Sequence, residues 1–253
     1  MSSSSAPVHS PAHDVVYRQD QYTLRRHILH RLLRVVGFGL LVRVQVEGRE
    51  NIPVSGPTLL IMNHIGALDP FVVTGVVTSR YVVPMSKIEN YKNPLSGFIA
   101  RSWGVYPVRR GEVDRRALAS TIELLRQERP VLIAPEGTRH TELAEPKRGM
   151  TYVAAKADAV VVPIGLEGTP DFPSSYKRLR RPRVQVRIGR PFRFKTDGRQ
   201  RIPRDELQRM TQEAMYQIAV LLPEYRRGVY SDLSLMTTDH LEFIDPRRPA
   251  AGA

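Results

Sequence analysis

The chain has 253 residues, of which 42% are hydrophobic and 25% are charged, and it contains no cysteine. This length accommodates one large α/β domain or two small ones, and the lack of cysteine excludes disulfides, thiolate catalysis and cysteine-ligated zinc. The net charge of +13 favours polyanionic partners: an anionic membrane surface, a phosphorylated substrate or nucleic acid.

The N-terminal part of the chain is predicted to contain a tail and a helix. Residues 1–20 are rich in Ser and Pro, lack the pattern of a signal peptide and are expected to be disordered. Over residues 21–42, Leu, Ile and Val recur at helical spacing, which predicts an amphipathic helix too short in its apolar run to span a membrane. Two interpretations stay open, since this helix either packs on its own domain or docks in the membrane interface, with arginines facing anionic head groups. The arginines concerned are Arg25, Arg26, Arg31 and Arg34.

Strands and helices alternate along the rest of the chain. Strands are predicted over 43–47, 58–62, 81–84, 104–110, 131–134, 160–166 and 184–189. Helices are predicted over 70–77, 94–102, 114–128, 150–157 and 204–222, with Asp114 as an N-cap. Short, continuously apolar strands between helices predict an α/β fold: a single layered domain with a mostly buried mixed or parallel sheet. We place this domain at 43–222, followed by an extension, 223–253, to which the sequence assigns no role.

A histidine and an aspartate follow the strand predicted at 58–62. His64 comes just after this strand, and Asp69 lies five residues later. A neutral imidazole accepts a proton from a hydroxyl best when a carboxylate fixes its tautomer, so the pair suits a general base with its orienting acid. It also suits a structural boundary in which Asp69 caps a helix that starts at Pro70. One carboxylate has two oxygens and can serve both purposes.

Three later segments bring basic residues to the ends of predicted elements. Arg109 ends "GVYPVR", where a guanidinium can fork onto a phosphate. The turn "PEGTR", residues 135–139, can present backbone N–H groups and a guanidinium to an anion, or close on an internal Glu–Arg pair. Lys147 and Arg148 precede a predicted helix, whose N-terminus attracts anions. Each segment taken alone is also typical of a solvated basic loop.

Together, "NHIGALD", "GVYPVR", "PEGTR" and "VVPI" resemble, in order and spacing, the four motifs of the glycerolipid acyltransferase family. The best-known members are the 1-acylglycerol-3-phosphate acyltransferases of phosphatidic acid synthesis. The resemblance covers more than half of the chain. The His-x-x-x-x-Asp motif alone is weak, but Glu-Gly-Thr-Arg about seventy residues later makes the combination specific.

The resemblance implies a role for each matching residue. His64 removes the proton of the acceptor hydroxyl and Asp69 supports the imidazole, so that the hydroxyl attacks a thioester without an acyl-enzyme. The residues implied to bind the acceptor phosphate are Arg109, Glu136, Gly137, Thr138, Arg139 and Lys147. The fourth motif, which is associated with the acyl-donor side, corresponds to Val162, Pro163 and Ile164. No metal or other cofactor is expected, because a thioester is already activated.

The implied partners are a lysophospholipid acceptor, acyl-coenzyme A or acyl carrier protein, and an anionic membrane. The expected location is the cytoplasmic face of the cell membrane, as a peripheral or monotopic protein. The same motifs serve glycerol-3-phosphate and other lysophospholipids, and a transacylase that takes its acyl group from a phospholipid would use the same site. A nucleic-acid-binding module is supported by charge alone, because aromatic residues make up only 7% and no binding motif is present. We therefore expect no nucleic-acid partner.

Overall fold

The structure of the protein is a computed structural model that describes residues 18–109, 114–147, 149–171, 180–199 and 201–246. Within these ranges the strands are β1 (Arg43–Glu47), β2 (Thr58–Met62), β3 (Val83–Lys87), β4 (Tyr106–Val108), β5 (Val131–Ile133), β6 (Val160–Glu167), β7 (Arg183–Ile188), β8 (Phe192–Phe194) and β9 (Leu241–Phe243). The helices of the same ranges are α1 (Thr23–Leu32), α2 (Asp69–Val76), α3 (Pro94–Trp103), α4 (Arg115–Arg126), α5 (Gly149–Lys156) and α6 (Arg204–Ala219).

All of the described strands belong to one sheet. Its order is β1-β7-β6-β2-β5-β3-β4, and β8 pairs with both β6 and β9. The middle of the sheet is parallel, with Leu60 of β2 opposite Leu132 of β5 and Val162 of β6. β7 is parallel to β1 but antiparallel to β6. The predicted α/β class, with a mixed, mostly parallel sheet flanked by helices, is confirmed.

Alternate residues of β2 face opposite layers of the core. Leu59 and Ile61 pack with side chains of α4, α5 and α6, whereas Leu60 and Met62 pack with side chains of α2. All four are at most 3% exposed. Successive side chains of a strand point to opposite faces, so a strand covered by helices on both faces requires a continuous apolar run.

The carboxyl ends of the parallel strands bring three predicted site segments to one edge of the sheet. His64 follows β2, Arg109 follows β4, and a loop over residues 134–147 follows β5. Ligands of open α/β sheets bind at this edge. The topology alone therefore gathers segments that lie 83 residues apart in the sequence at their extremes, from His64 to Lys147.

The N-terminal segment is helical, as predicted for 21–42. It begins with a 3₁₀ turn, Gln19–Tyr22, continues in α1 and ends in a π-helical segment, Leu33–Leu41. Residues 1–17 of the predicted tail lie outside the described residues, whereas Gln19 is already buried. Among the described residues, no helix combines the length and apolar character that crossing a bilayer demands.

Arg26 corrects the expectation that the arginines of this helix face lipid head groups. Its side chain is buried; Nε donates to the Trp103 carbonyl at 2.6 Å, and Nη2 donates to the side chain of Gln19. Arg26 thus anchors α1 on α3. The other three arginines are exposed: Arg25, Arg31 and Arg34.

The extension after residue 222 packs on the domain. The chain makes 3₁₀ turns at Glu224–Arg226, Gly228–Tyr230 and Leu233–Leu235, and then forms β9. Tyr230 is 2% exposed. The sequence does not predict β8 or β9, because each has three residues with a charged residue in the middle, whereas the equally short β5 is continuously apolar.

Candidate active site

Asn63 fixes the point at which the chain leaves the sheet. Its side chain donates to the Leu166 carbonyl at 3.0 Å and accepts from the Leu166 amide at 2.7 Å. This contact continues the pairing of β2 with β6, in which Met62 lies opposite Ile164. The backbone of His64 is therefore fixed at a defined position on the edge of the sheet.

Asp69 holds the His64 ring. The His64 Nδ1 lies 2.8 Å from the Asp69 Oδ2, and the same oxygen accepts hydrogen bonds from the amides of Ile65 at 2.7 Å and Gly66 at 2.8 Å. The Asp69 side chain is fully buried, and the His64 side chain is 12% exposed. The turn between the two residues thus wraps round the carboxylate and brings it to the ring.

This geometry determines which His64 nitrogen can act as a base. An ionised carboxylate only accepts hydrogen bonds, so the neutral His64 ring that bonds Asp69 carries its proton on Nδ1. The lone pair of Nε2 is then available to take a proton from a hydroxyl, and Asp69 stabilises the imidazolium that forms. The predicted contact between His64 and Asp69 is present, and the catalytic role of the pair stays a prediction.

The predicted capping role of Asp69 is wrong. Asp69 is the first residue of α2, Leu68 occupies the N-cap position, and no side chain caps the helix. The Asp69 carboxylate instead accepts hydrogen bonds from the amides of Ile65 and Gly66, before the helix, and from the Thr169 hydroxyl. Pro70 lies in the first turn, where its missing N–H leaves no helix hydrogen bond unmade.

Thr169 is a site residue that sequence reasoning missed. Its hydroxyl donates to the Asp69 Oδ1 at 2.5 Å, across 100 residues of sequence. A Cβ on Gly66 would lie 2.7 Å from the Thr169 Oγ1, so the turn approaches this threonine closely. The parallel pairing of β2 with β6 brings both strand ends to one edge, but nothing in the sequence distinguishes this threonine from others.

His64 lines a cavity of about 730 Å³ whose walls are mainly apolar. The apolar lining includes Met85, Val108, Leu118, Leu132, Met150 and Leu207. Four basic residues also line the cavity: Lys87, Arg109, Lys147 and Arg204. A base, apolar walls and cations suit a ligand with a hydroxyl, an apolar chain and an anionic group. Within the described ranges, no three His, Asp or Glu side chains are grouped to hold a metal ion.

Arg109, predicted to bind phosphate, lies in the cavity lining just after β4. Its amide donates to the Asp114 Oδ2 at 2.8 Å, while the Asp114 Oδ1 accepts from the amides of Arg116 and Ala117 and caps α4. Burial alone would raise the pKa of Asp114, but these hydrogen bonds and the Arg109 charge hold it below its usual value. The predicted N-cap is confirmed, and it also fixes the backbone of Arg109. Arg110 lies outside the described residues.

Gly137 and Lys147, also predicted to bind phosphate, lie together in the lining. Gly137 has a φ of +75°, and a Cβ there would lie 3.0 Å from the Lys147 Cε. The Lys147 amide donates to the Pro135 carbonyl at 2.9 Å and closes the base of the loop. A larger residue at position 137 would meet both a left-handed backbone and the lysine stem. Arg148 lies outside the described residues.

Thr138 and Arg139 are exposed and are not part of the cavity lining. The next residue connects them to the His64–Asp69 pair, because the His140 amide donates to the His64 carbonyl at 2.9 Å. The third motif therefore lies against the backbone of His64, with the Arg139 side chain outside the cavity walls. Contact of these two residues with a phosphate stays a prediction.

Glu136 points into the protein. It is 4% exposed; its Oε2 accepts from the His64 amide at 3.2 Å and its Oε1 accepts from the Ala144 amide at 3.0 Å. Burial raises the pKa of Glu136 to about 7, and the charge of Asp69 adds to this rise, against the two N–H donors, which lower it. The carboxyl group ties the loop to His64, and the predicted contact with phosphate finds no support in this position.

Val162, Pro163 and Ile164 lie in β6, between β2 and β7, and all three are buried. Pro163 lies opposite Ile61, and its carbonyl accepts from the Gly189 amide at 2.9 Å. None of the three lines the cavity that contains His64. They form part of the core, and a contact with the acyl donor stays a prediction.

Comparison with known proteins finds similarity over the part of the chain that contains the His64–Asp69 pair, Arg109 and the third motif. The sequence profile of a family described as Acyltransferase matches residues 43–167. The chain is 32% identical to the chloroplastic 1-acyl-sn-glycerol-3-phosphate acyltransferase LPAT1 of Arabidopsis thaliana over 62% of its own length and 45% of that protein. It is 28% identical to the 1-acyl-sn-glycerol-3-phosphate acyltransferase of Bacillus subtilis over 59% of its own length and 73% of that protein.

A solved structure shares the fold. The 1-acyl-sn-glycerophosphate (LPA) acyltransferase PlsC of Thermotoga maritima superposes with a TM-score of 0.56 at 22% identity. The match covers 79% of this chain and 83% of that one. The chain spans about half the length of several of the curated relatives that it matches.

Proposed function

We propose that this chain, whose residues 43–167 belong to the acyltransferase family, moves an acyl group from a thioester to the free hydroxyl of 1-acylglycerol-3-phosphate. The product is phosphatidic acid. One observation carries the proposal: the His64–Asp69 pair, at 2.8 Å, lines an apolar cavity together with Arg109 and Lys147. The names of the curated relatives support the choice of acceptor.

The proposed reaction uses His64 twice. Nε2 takes the proton of the acceptor hydroxyl as the hydroxyl oxygen attacks the thioester carbonyl carbon. The carbon–sulfur bond then breaks, the acyl group stays on the acceptor oxygen, and the thiolate leaves with the proton from His64. Asp69 keeps Nδ1 protonated and stabilises the imidazolium between the two transfers. The proposal includes no cofactor, because a thioester is an activated acyl donor.

The proposed acceptor matches the charge and polarity of the cavity. Arg109 and Lys147 supply cations to its phosphate, and Arg109 can do so with two parallel hydrogen bonds. The apolar walls receive an acyl chain. The donors proposed, acyl-coenzyme A or acyl carrier protein, are anionic, which suits a chain with a net charge of +13.

An acyl-transfer assay on the purified protein tests this function. Phosphorylated acceptors (1-acylglycerol-3-phosphate, glycerol-3-phosphate and other lysophospholipids) are each offered with acyl-coenzyme A, with acyl carrier protein, or with phospholipid as the sole donor. We expect phosphatidic acid from 1-acylglycerol-3-phosphate and a thioester. Transfer from phospholipid alone would identify a transacylase, and no transfer to any acceptor would overturn the proposal.

We further infer that the protein docks on the cytoplasmic face of an anionic membrane through α1. Exposed apolar side chains with more than half of their surface accessible follow one face of the N-terminal segment: Leu24, Ile28, Leu32 and Val35. Leu95 and Phe98 of the neighbouring α3 are 70% and 61% exposed. Apolar side chains beside exposed arginines are typical of a helix in the membrane interface.

Vesicle sedimentation tests this surface. Vesicles of phosphatidylcholine and phosphatidylglycerol are expected to bind the protein, and Leu24→Glu with Ile28→Glu should reduce binding about tenfold or more. Leu235→Glu is the control, because Leu235 is 65% exposed and belongs to the extension instead of α1. Equal binding of all three proteins would contradict docking through α1.

A further inference from the structure

The C-terminal extension contacts the loop that carries the third motif. This loop, residues 134–147, contains only turns and irregular backbone, and it is held both by its own hydrogen bonds and by contacts with neighbouring segments. Glu136 and His140 hold its inner side against His64. Its outer side lies against the 3₁₀ turns that follow α6.

Arg226 makes the principal side-chain contact between the extension and the loop. Its Nε and Nη2 donate to the two carboxylate oxygens of Glu167 at 2.7 Å and 3.0 Å, and its Nη1 donates to the Thr141 carbonyl at 2.6 Å. The side chains of Arg226 and Glu167 are only 18% and 19% exposed. Such a bidentate, shielded pair is stronger than a typical surface ion pair, so it restrains the loop at Thr141.

The two backbones also meet directly. The Leu143 amide donates to the Arg226 carbonyl at 2.9 Å, and the Val229 amide donates to the Leu143 carbonyl at 3.3 Å. Gly228 has a φ of +51°, and a Cβ there would lie 2.1 Å from the Leu143 carbonyl oxygen. Only glycine permits this approach, so the extension is closely fitted to the loop.

Glu167 links this contact to the catalytic pair. It ends β6, two residues before Thr169, whose hydroxyl donates to Asp69. Arg226 therefore joins the loop after β5 to the strand end that supports Asp69. Thr138 and Arg139 lie between Glu136 and His140, which both bond the His64 backbone, and Arg226 holds the loop from the next residue, Thr141.

We propose that Arg226 is a positioning residue that holds the Thr138–Arg139 segment where it meets the phosphate of the acceptor. The inference rests on the proposed function, which supplies the acceptor. A loop that is ordered before binding loses less entropy when the ligand arrives. Removing Arg226 therefore weakens acceptor binding more than proton transfer, which depends on His64 and Asp69.

Steady-state kinetics separates this role from a general loss of structure. Arg226→Ala is expected to raise the KM for 1-acylglycerol-3-phosphate about tenfold and to change kcat less than about threefold. Arg226→Lys keeps one charged donor and should raise the KM by a smaller factor. A lower kcat with an unchanged KM in Arg226→Ala would overturn the proposal.

A double-mutant cycle tests whether Arg226 acts through Arg139. If it does, Arg226→Ala has little further effect on the acceptor KM in an Arg139→Ala background, because the group that it positions is gone. Multiplication of the two single effects in the double variant would show that Arg226 acts elsewhere.

Two glycines provide a matched pair of substitutions. Gly228→Ala should raise the acceptor KM as Arg226→Ala does, because its Cβ pushes against the Leu143 carbonyl. Gly198→Ala is the control: its φ is +72°, a comparable strain, but a Cβ there meets nothing within 4 Å. An equal rise in KM in both variants would contradict the proposal.

Hydrogen exchange distinguishes failure of this inference from failure of the proposed function. Arg226→Ala should accelerate amide exchange over residues 140–144 while leaving Ile65 and Gly66 protected. Accelerated exchange in a protein that transfers no acyl group would overturn the function and keep the restraint on the loop. Unchanged exchange in an active protein would overturn the role of Arg226 alone.

Discussion

Two His–carboxylate pairs with the same local geometry occur in different parts of the molecule. The His64 Nδ1 lies 2.8 Å from Asp69, and the His240 Nδ1 lies 2.9 Å from Glu213. Both carboxylates are buried, and each also accepts a hydrogen bond from a threonine hydroxyl. Asp69 accepts from two backbone amides and Glu213 from one. The hydrogen bonding within the pairs does not tell them apart.

The two pairs differ in their surroundings. His64 lines a cavity with apolar walls and basic residues, whereas neither His240 nor Glu213 lines that cavity. Glu213 belongs to α6, and its partners Thr237 and His240 belong to the extension, so this pair fastens one segment to another. A His–carboxylate contact is therefore a candidate base only where a substrate can reach its second nitrogen.

Replacing the histidine of each pair is expected to give the largest difference in kcat between the two pairs. His64→Ala removes the proposed base and should lower kcat about 10⁴-fold, with a loss of stability similar to that of His240→Ala, because buried Asp69 also loses a partner. His240→Ala should keep kcat within about twofold and lower stability by about 1–3 kcal/mol, because buried Glu213 loses a partner. Acyl-transfer rates and thermal unfolding of both variants check this, and a large loss of kcat in His240→Ala would break the distinction.

Replacing the carboxylate of each pair tests whether it orients the imidazole ring of its histidine. Asp69→Asn presents an amide that can donate to Nδ1 and so favours the wrong tautomer, and kcat should fall about 10³-fold. Glu213→Gln should leave the rate unchanged and reduce Tm. The pH–rate profile supplies the control: a mere loss of folded Asp69→Asn protein would scale the profile without changing its shape.

Glu136 is a buried carboxyl group attached to the first pair and not to the second. Its pKa of about 7 exceeds the usual 4.5, so the folded protein retains a proton that the unfolded chain loses between these pH values. The resulting stability is fully present below pH 4.5 and is lost as the pH rises through 7, by up to about 3 kcal/mol. Glu136→Gln should flatten this fall in chemical denaturation across pH 4–9. Parallel curves for the wild type and the variant would show that Glu136 does not contribute it.

Replacing the threonine that bonds each carboxylate, Thr169 or Thr237, is expected to give the smallest difference in kcat between the two pairs. Thr169→Val removes a hydrogen bond worth about 1.4 kcal/mol from Asp69 and should lower kcat about tenfold. Thr237→Val removes the corresponding bond from Glu213 and should change only Tm. Equal rates in wild type and Thr169→Val would mean that Asp69 keeps its position without this hydroxyl.

The sequence predicts those parts of the fold and site that depend on local pattern. The continuous apolar run of β2 identifies a buried strand, and Asp114 is recognisable as a cap because its side chain serves amides two and three residues later. The contact of His64 with Asp69 is also local, since a five-residue turn brings the two together. β8 and β9 escape recognition because each is short and is interrupted by a charged residue.

Contacts between segments that are distant in the sequence cannot be predicted from local pattern. Thr169 reaches Asp69 only because β6 lies beside β2, and Glu167 reaches Arg226 only after the extension folds back. The motif containing Glu136 suggests a phosphate ligand, but burial turns its carboxyl group inward to backbone amides. Chemical type is visible in the sequence, whereas the direction of a side chain depends on packing.

One measurement tests the central claim most directly: simultaneous quantitation of thiol release and phosphatidic acid formation from an acyl thioester and 1-acylglycerol-3-phosphate. The proposed mechanism predicts equal amounts of both products from the wild type, no thiol release without acceptor, and loss of both products together in His64→Ala. Wild-type rates in a folded His64→Ala variant, or thiol release without acceptor that leaves the acyl group on the protein, would contradict direct transfer with His64 as the base.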